Sequence, residues 1–481
     1  MDELQHRLTR LAERAAPPPR EDLAHAVVTR HRAQRRQTIG LTAVAAAVAA
    51  VVVTMPLLLD GPGAEPATAT GTAATGAAES TTAAADALTS STRGSLAGDA
   101  AFVETVRQLS WTTADDVDAP TAASEPPLDS RHVVFAGDVA GGRWALVVGQ
   151  DTIQPEPSAE GTGLAAAWFT GPPGAAGDQL QPTSLLGGID PAEPVALYGA
   201  STGALVVVAA PGDDVLLSRR PEVAADASVS RDFAPVDAPE GVAVLALSPA
   251  AGTYDEALRY RVIRDGAELV TRMPDQYRAD GSSSSAPSVT WLGESATWAA
   301  DQLLTGGADH VLTITGLTPG QIGFGVVWAG DLPASGGQPA QLRLMSATLP
   351  SGASYLEALY SRESSNGPSS WCGADLRPAD PPLARQVFAV RCAGPDPSGS
   401  TGSLSTLVLI GPPRATSVRL TDGSGELLEE HPLADGIAVL TAPEDVAGTE
   451  FLAADGTTVG RTDVMGVDGM ERLTATPSSG D

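Results

Sequence analysis

Residues 39–59 are 21 consecutive uncharged, mostly apolar positions, and no other stretch constrains the chain as strongly. At about 1.5 Å per residue a helix of that length covers the roughly 30 Å hydrocarbon layer of a bilayer. A backbone in lipid must satisfy its own hydrogen bonds, so helix is the expected state in spite of the β-branched valines. Pro56 falls near the outer end, where a lost bond costs least. Arg30, His31, Arg32, Arg35 and Arg36 precede the run, whereas Asp60 follows it and the next basic residue is Arg93. The positive-inside rule then places the N-terminus in the cytoplasm and the rest outside, as a single-pass type II protein in the cell membrane. A cleaved secretory signal is the competing reading, and a buried core helix the third. Against the first, 38 residues precede the run, which ends in Leu57-Leu58-Leu59 rather than in a small-x-small site. No cysteine follows closely, which excludes lipoprotein processing.

The chain has 481 residues, enough for several domains of about 100–200 residues each. Its 29 basic residues are all arginine, set against 58 acidic ones. Five of the acidic and eight of the basic residues precede Asp60, so the outer part carries 53 and 21, a net charge of −32. Such a field repels phosphate backbones and anionic polymers and favours cations, so nucleic acid is excluded as a general partner. The absence of lysine removes the P-loop lysine, the Schiff-base lysine and the Ser-x-x-Lys pair from consideration.

Before the apolar run, Leu4, Leu8, Leu11 and Ala15 recur at helical spacing until Pro17-Pro18-Pro19 stops them. A second helix is expected from Glu21-Asp22 through Leu23, Ala26 and Val27 into the arginine cluster. This pair suits either a partner-binding tail or a segment lying on the bilayer surface. An arginine-rich helix, a proline break and one anchor resemble single-pass envelope proteins of high-GC Gram-positive bacteria, some laid out like membrane-bound anti-sigma factors. The resemblance covers residues 1–60 and implies a regulator with a small inner part, which would capture a sigma factor, and a large outer part. The His-x3-Cys-x2-Cys zinc motif of many such factors is missing: His6, His25 and His31 have no cysteine near them.

Residues 60–98 are almost all Ala, Thr, Gly, Ser and Pro, with Leu88 and Leu96 the only large apolar side chains, and read as a disordered stalk. After it, Phe102, Val103, Val106 and Leu109 mark one amphipathic helix. Short apolar runs punctuated by Gly, Pro and Asp follow, predicting strands at 133–139, 144–148, 165–169, 205–209, 242–247 and 259–263. The series continues at 310–315, 323–328, 342–346, 386–392, 406–410, 418–421, 437–441 and 450–453, while Tyr355/Leu359 and Leu356/Tyr360 predict a short helix over 354–360. Gly141-Gly142, Asp265-Gly266 and Asn366-Gly367 are turn signals.

A repeat is visible within this series. Residues 206–211 (VVVAAP) lie over 407–412 (LVLIGP), 241–245 (GVAVL) over 436–440 (GIAVL), and Asp265-Gly266 over Asp455-Gly456. A long unit present twice favours tandem antiparallel β-sandwiches of immunoglobulin-like type over a β-propeller, the alternative, whose blades repeat every 40–50 residues or so. The expected organisation is a cytoplasmic tail (1–38), a transmembrane helix (39–59), the stalk (60–98), a first β module (99–275), an irregular connection with strands and a short helix (276–380), a second β module (381–470) and a disordered tail (471–481).

Cys372 and Cys392 are the only cysteines, and outside the cell they are expected to form one disulfide, with Trp371 packed over it. His132, His310 and His431 stand alone in the outer part, and no metal spacing, nucleophile elbow or dinucleotide fingerprint occurs. Asp115-Asp116-Val117-Asp118 and Asp213-Asp214 lack the order of a calcium loop, and Trp291 and Trp298 suit either sugar stacking or core packing. The expectation is therefore a non-enzymatic extracytoplasmic binding or sensing protein without cofactor, with an envelope glycan as candidate partner. The alternatives are the anti-sigma-type regulator and an extracellular hydrolase whose site is assembled from distant residues.

Overall fold

A computed structural model describes residues 87–111, 125–151, 163–252, 254–278, 287–292, 301–335, 338–362, 370–393, 405–466 and 468–475. The N-terminal helices, the apolar run and its collar of Arg30, Arg32, Arg35 and Arg36 lie outside these residues. Among the described residues no helix is long and apolar enough to cross a membrane.

The described chain is mainly β, and its elements recur in the same order. Helix α1 (Ala100–Arg107) precedes a four-stranded meander, β1 (His132–Val139), β2 (Gly142–Gln150), β3 (Leu164–Gly171) and β4 (Gln181–Ile189). There follow β5 (Val195–Gly199), β6 (Ala204–Val208), β7 (Asp214–Ser218), the hairpin β8 (Pro221–Val223) and β9 (Val229–Arg231), β10 (Ala234–Val236), β11 (Val242–Ala246), β12 (Arg259–Arg264), β13 (Ala267–Arg272) and β14 (Asp275–Tyr277). These form one sheet of order β11-β6-β5-β14 and another of order β10-β7-β12-β13.

The second half begins again with a helix, α2 (Gln302–Thr315), and a meander, β15 (Gly323–Ser335), β16 (Gln338–Thr348), β17 (Ser354–Arg362) and β18 (Ser370–Arg377). Then come β19 (Phe388–Ala393), β20 (Ser405–Ile410), β21 (Ala415–Thr421), β22 (Leu427–Pro432), β23 (Ile437–Thr441), β24 (Gly448–Ala453) and β25 (Thr458–Asp463), before helix α3 (Asp468–Thr474). Their sheets, β19-β20-β23 and β22-β21-β24-β25, repeat the strand order of the first half.

Smaller features recur as well. A segment ahead of each meander bridges its first strand in parallel, Arg93 to Phe135 and Trp291 to Phe324. A segment after each last hairpin returns parallel to the first strand of the three-stranded set, β14 beside β5 and Met465 beside Val390. The chain is thus two copies of one β module. The crossed orders around β7 and β21 are not the sequential meanders that propeller blades require, so the propeller reading is withdrawn.

Each module is layered as helix, meander, middle sheet and outer sheet. In the first, Phe102 and Val106 of α1 pack on Val133, Ala145, Val147 and Phe169 of the meander. The other meander face, with Val134, Trp144, Leu146 and Trp168, meets Val195, Leu197, Val206 and Val208 of the middle sheet. The alternate residues Ala196, Tyr198, Leu205 and Val207 face Val215, Leu217, Tyr260 and Val262 of the outer sheet. The central strands β5 and β6 are consequently buried at every position, and their side chains are almost all apolar. Strand β19 behaves alike: Phe388, Val390 and Cys392 face the meander while Val387 and Ala389 face the outer sheet.

Four sequence expectations are corrected. Residues 276–380, where strands and a short helix are expected, hold α2 and the second meander. The stalk gives way to packed chain by residue 87: Ala87 and Leu88 are buried, and Arg93 donates to the Ala209 carbonyl at 2.6 Å. Residues 310–315 belong to α2, which Asp301 caps by accepting from the Leu303 amide at 2.9 Å and Gly316 closes at φ 62°. Residues 354–360 are strand β17, with Leu356, Ala358 and Tyr360 toward the middle sheet and Tyr355 toward α2, and residues 471–474, the start of the expected tail, belong to α3. The Asn366-Gly367 turn lies outside the described residues, whereas Gly141 and Asp265-Gly266 turn hairpins with positive φ.

Cys372 of β18 and Cys392 of β19 are disulfide-bonded, with Cα atoms 4.9 Å apart, tying the second meander to its middle sheet. Trp371 does not cover the bridge, because as a strand neighbour it packs on the opposite, helix-facing side. Replacing both cysteines by alanine should lower the unfolding free energy by about 3 kcal/mol, read from urea melts of the full chain. A sharper check on the duplication uses Gly241 and Gly436, both at positive φ, whose carbonyls accept from Ala209 and Gly411 amides at 2.8 Å. A Cβ at either would run into backbone carbonyls, of Ala210 and Ala209 in one module and of Gly411 and Pro412 in the other. Gly241→Ala and Gly436→Ala should therefore each cost more than about 1 kcal/mol, and by similar amounts.

Candidate functional site

The modules meet where the end of the first outer sheet lies against α2 and α3. Two segments of the first module with no counterpart of equal length in the second make this junction. The chain between β7 and β10 spans 219–233 and includes the β8–β9 hairpin, against 422–426 between β21 and β22. The chain between β11 and β12 spans 247–258, against 442–447 between β23 and β24.

Arginines from these segments and from β12 hold the second module by its backbone. Arg231 donates to the Leu473 carbonyl at 2.9 Å and to the Ala257 carbonyl at 2.6 Å. Arg259 donates to the Thr474 carbonyl at 2.7 Å and to the Glu256 carbonyl at 2.6 Å. The Ala257 amide reaches the Thr313 carbonyl of α2 at 3.1 Å, and the Ala379 amide reaches Ala225 at 2.8 Å. In return Arg472 of α3 donates to the Ala227 carbonyl. Cations at carbonyl-rich helix C-termini are favoured by charge as well as by hydrogen bonding. Burial pulls the Arg231 guanidinium down to a pKa of about 10, so it stays charged.

Between these contacts lies a cleft of about 640 Å³. Leu217, Val236, Leu245, Leu258 and Leu312 give it an apolar floor, and Arg219, Asp232, Ser248, Tyr254 and Asp255 give it a polar rim. A second cavity, about 290 Å³, follows the end of α2 between Arg220, Val223 and Leu317 on one side and Leu349-Pro350-Ser351 on the other. An apolar pocket with a few converging polar groups is the usual form of a small-molecule site.

Asp255 is the electrostatically unusual member. Its Oδ1 accepts from the Ala257 and Leu258 amides at 3.1 and 3.0 Å, and the Gln276 side chain clamps its backbone at 2.8 and 2.7 Å. Burial pushes its pKa up to about 6, in spite of those two amides and the Arg259 and Arg231 charges. Nearby, His310 of α2 meets Oε1 of the buried Glu357 of β17 at 2.8 Å. Burial lowers the His310 pKa, but the hydrogen bond and charge of Glu357, with Glu256 and Asp309 beyond, outweigh it and raise the value overall.

The residues singled out from sequence sit elsewhere. The disulfide lies between the meander and middle sheet of the second module. His132 bonds the Leu88 carbonyl at 2.6 Å and His431 meets Glu429 at 2.7 Å, so the outer histidines are not isolated in space. Asp213 pairs with Arg264 at 2.8 Å and accepts from the Ala210 amide. Trp291 packs on Phe324 with ring centroids 5.8 Å apart, while Trp298 and the Asp115–Asp118 cluster lie outside the described residues. Among the described residues no group of three or more His, Cys, Asp and Glu side chains could hold a metal ion. Neither a protein-family model nor a curated protein matches the sequence.

The signs of the two shifts fix a pH response. Both Asp255 and His310 have folded pKa values above their ordinary ones, so each stabilises the fold at low pH and loses that contribution as pH rises. For Asp255 the contribution is complete below about pH 4 and is lost as pH rises through 6. Asp255→Asn, which keeps an acceptor for the two amides, should raise stability near neutral pH by up to about 3 kcal/mol. It should also flatten the melting temperature between about pH 4 and pH 7. His310→Gln should remove a further, higher-lying part of the slope.

Proposed function

We propose that this chain is a non-enzymatic binding or sensing protein of the cell exterior, carried by one membrane anchor at residues 39–59, whose ligand enters the cleft at the module junction. Each module is read as an immunoglobulin-type sandwich. A three-stranded sheet (β5-β6-β11 or β19-β20-β23) faces a four-stranded one with the order C′-C-F-G, preceded by an added meander. The observation that carries the functional reading is the cleft itself: about 640 Å³, apolar below and polar above, and made by the two segments in which the modules differ. Extra loops on a repeated scaffold are where binding residues concentrate. An envelope glycan fits the candidate ligand range, since the rim offers the exposed ring of Tyr254 and the side chains of Ser248, Asp232 and Arg219.

Two measurements test this. Protease added to intact cells should digest the polypeptide beyond residue 60 and spare the tail; protection of the bulk would remove the topology. Ala246→Trp places a large ring in the cleft from an exposed position and should abolish binding of any envelope fraction or fragment captured by the wild-type protein, with the fold retained. Capture that survives the substitution would place the ligand elsewhere.

A second reading is favoured by the helical spacing of Leu4, Leu8 and Leu11. In it the tail captures a cytoplasmic sigma factor and the outer modules report to it. Failure of the full chain to retain any sigma factor of its host in a pull-down would end that reading and leave the first intact.

A further inference from the structure

Asp255 differs from three carboxyls set into the described fold in what faces its carboxylate. Asp213, Glu357 and Asp375 each face a basic side chain, Arg264 at 2.8 Å, His310 at 2.8 Å and Arg377 at 2.6 Å. No arginine or histidine nitrogen of the described residues lies within the 4.0 Å ion-pair distance of the Asp255 carboxylate. Its two nearest guanidiniums, Arg231 and Arg259, direct their bonding N–H groups at backbone carbonyls. Oδ1 is occupied by two amides. Among the described residues Oδ2 has no hydrogen-bond partner, and it is not sealed from solvent; its residue lines the cleft. A carboxylate that lines a cleft and is bonded by no cation of the described residues is a receptor for one, since the Arg231 and Arg259 charges act on it only through space.

The surroundings define that cation further. Tyr254, the preceding residue, is 46% exposed at the rim, so its ring face is open to a cationic or aromatic group. The floor is too apolar for a hydrated metal ion, and among the described residues no cluster of additional ligands supports one. The net charge of −32 beyond residue 59 raises the local concentration of small cations.

We propose that the cleft binds an organic cation, a protonated primary amine received by Asp255 Oδ2 with an apolar or aromatic body laid on Leu217, Leu258 and Leu312. The proposal rests on the cleft being the ligand site. Binding competes with protonation of the same oxygen pair. The charged groups around Asp255 are Arg231, Arg259, Arg219 and Glu256, with His310 beyond Glu256, and burial has already brought Asp255 into the range where it titrates. Affinity should therefore fall on acidification from about pH 7.5 to about pH 5.

Isothermal titration of the full chain with phenethylamine, 2-phenylethanol and an aliphatic amine of similar length decides the matter. The amine should bind at least about tenfold more tightly than the alcohol, and Asp255→Asn should erase that preference. Tyr254→Ala, at an exposed position, should weaken the aromatic amine more than the aliphatic one, which keeps the test open if Asp255→Asn disturbs the junction. Equal binding of amine and alcohol, amine binding indifferent to Asp255→Asn, displacement of the amine by calcium ion, or no binding of any amine would each overturn the proposal. A different probe whose capture Ala246→Trp blocks would show that the cleft is a ligand site for another chemistry. Capture unaffected by that variant would instead remove the cleft reading.

Discussion

The structure depends on central strands covered on both faces. In each module the middle strands receive the meander on one face and the outer sheet on the other, so every residue of β5 and β6 is buried. A fully buried Val or Leu side chain contributes about 1.5–3 kcal/mol relative to exposure. A polar group in the same place, unbonded, would cost a comparable amount or more. Run after run, these strands are therefore Val, Ala, Leu and Ile, and the layers on either side can be arranged only where their own apolar faces match. The meanders carry large aromatic side chains toward these strands in the first module, Trp144 and Trp168 with rings 6.4 Å apart at an edge-on angle. In the second module the corresponding seam holds the disulfide. The same seam is filled by two chemistries, one of ring volume and one of covalent linkage.

This double burial explains both what could be read in the sequence and what could not. In the middle and outer sheets the short apolar runs between turn residues mark β6, β11, β12, β19, β20, β21, β23 and β24, each close to its expected place, whereas β5, β7, β10, β13, β14, β22 and β25 are not marked by such runs. Strand β17 is not marked as a strand either, because a strand covered on both faces has apolar side chains at every spacing, including the i and i+4 pairs Tyr355/Leu359 and Leu356/Tyr360 that suggest a helix. The opposite error at 310–315 came from weighing β-branched Val311, Ile314 and Thr315 above the caps. Asp301 and Gly316 bound the helix, and its packing on Tyr355, Met345 and Phe324 overrides strand propensity. The repeat was visible, and two of its three string matches, 241 over 436 and 265 over 455, fall on equivalent positions, while the first is one residue out. The pairs Ala209–Gly241 and Gly411–Gly436 align 209 with 411, whereas the string match aligned 206 with 407, and Val/Leu/Ala runs contain nothing to fix a single-residue shift.

The junction was not legible at all. Asp255, Arg231, Arg259 and the carbonyls of Leu473 and Thr474 come from four places in the chain, and the partners of the arginines are backbone atoms, which carry no sequence signal. His310 looked solitary because Glu357 is 47 residues away and on another element. Only the uneven spacing of the repeat hinted at it, since its offsets shrink from 201 to 195 to 190 along the chain and so place extra residues in the first copy.

Those extra residues assign the division of labour. In the second module the connections 422–426 and 442–447 are short turns, and the sandwich closes on itself. In the first, 219–233 and 247–258 exceed what is needed to join the same strands, and the excess contains Arg219, Asp232, Tyr254 and Asp255 of the cleft and Arg231 of the junction. A surface loop lengthened by several residues costs little closure entropy, about 0.6 kcal/mol per doubling, so the scaffold tolerates such growth wherever it does not disturb the buried strands. Here the growth does more than it costs, because one loop supplies both a wall of the cleft and the Ala257 amide that bonds α2 at Thr313. Whatever occupies the cleft therefore touches a segment that also holds the modules together, and neither role can change without the other.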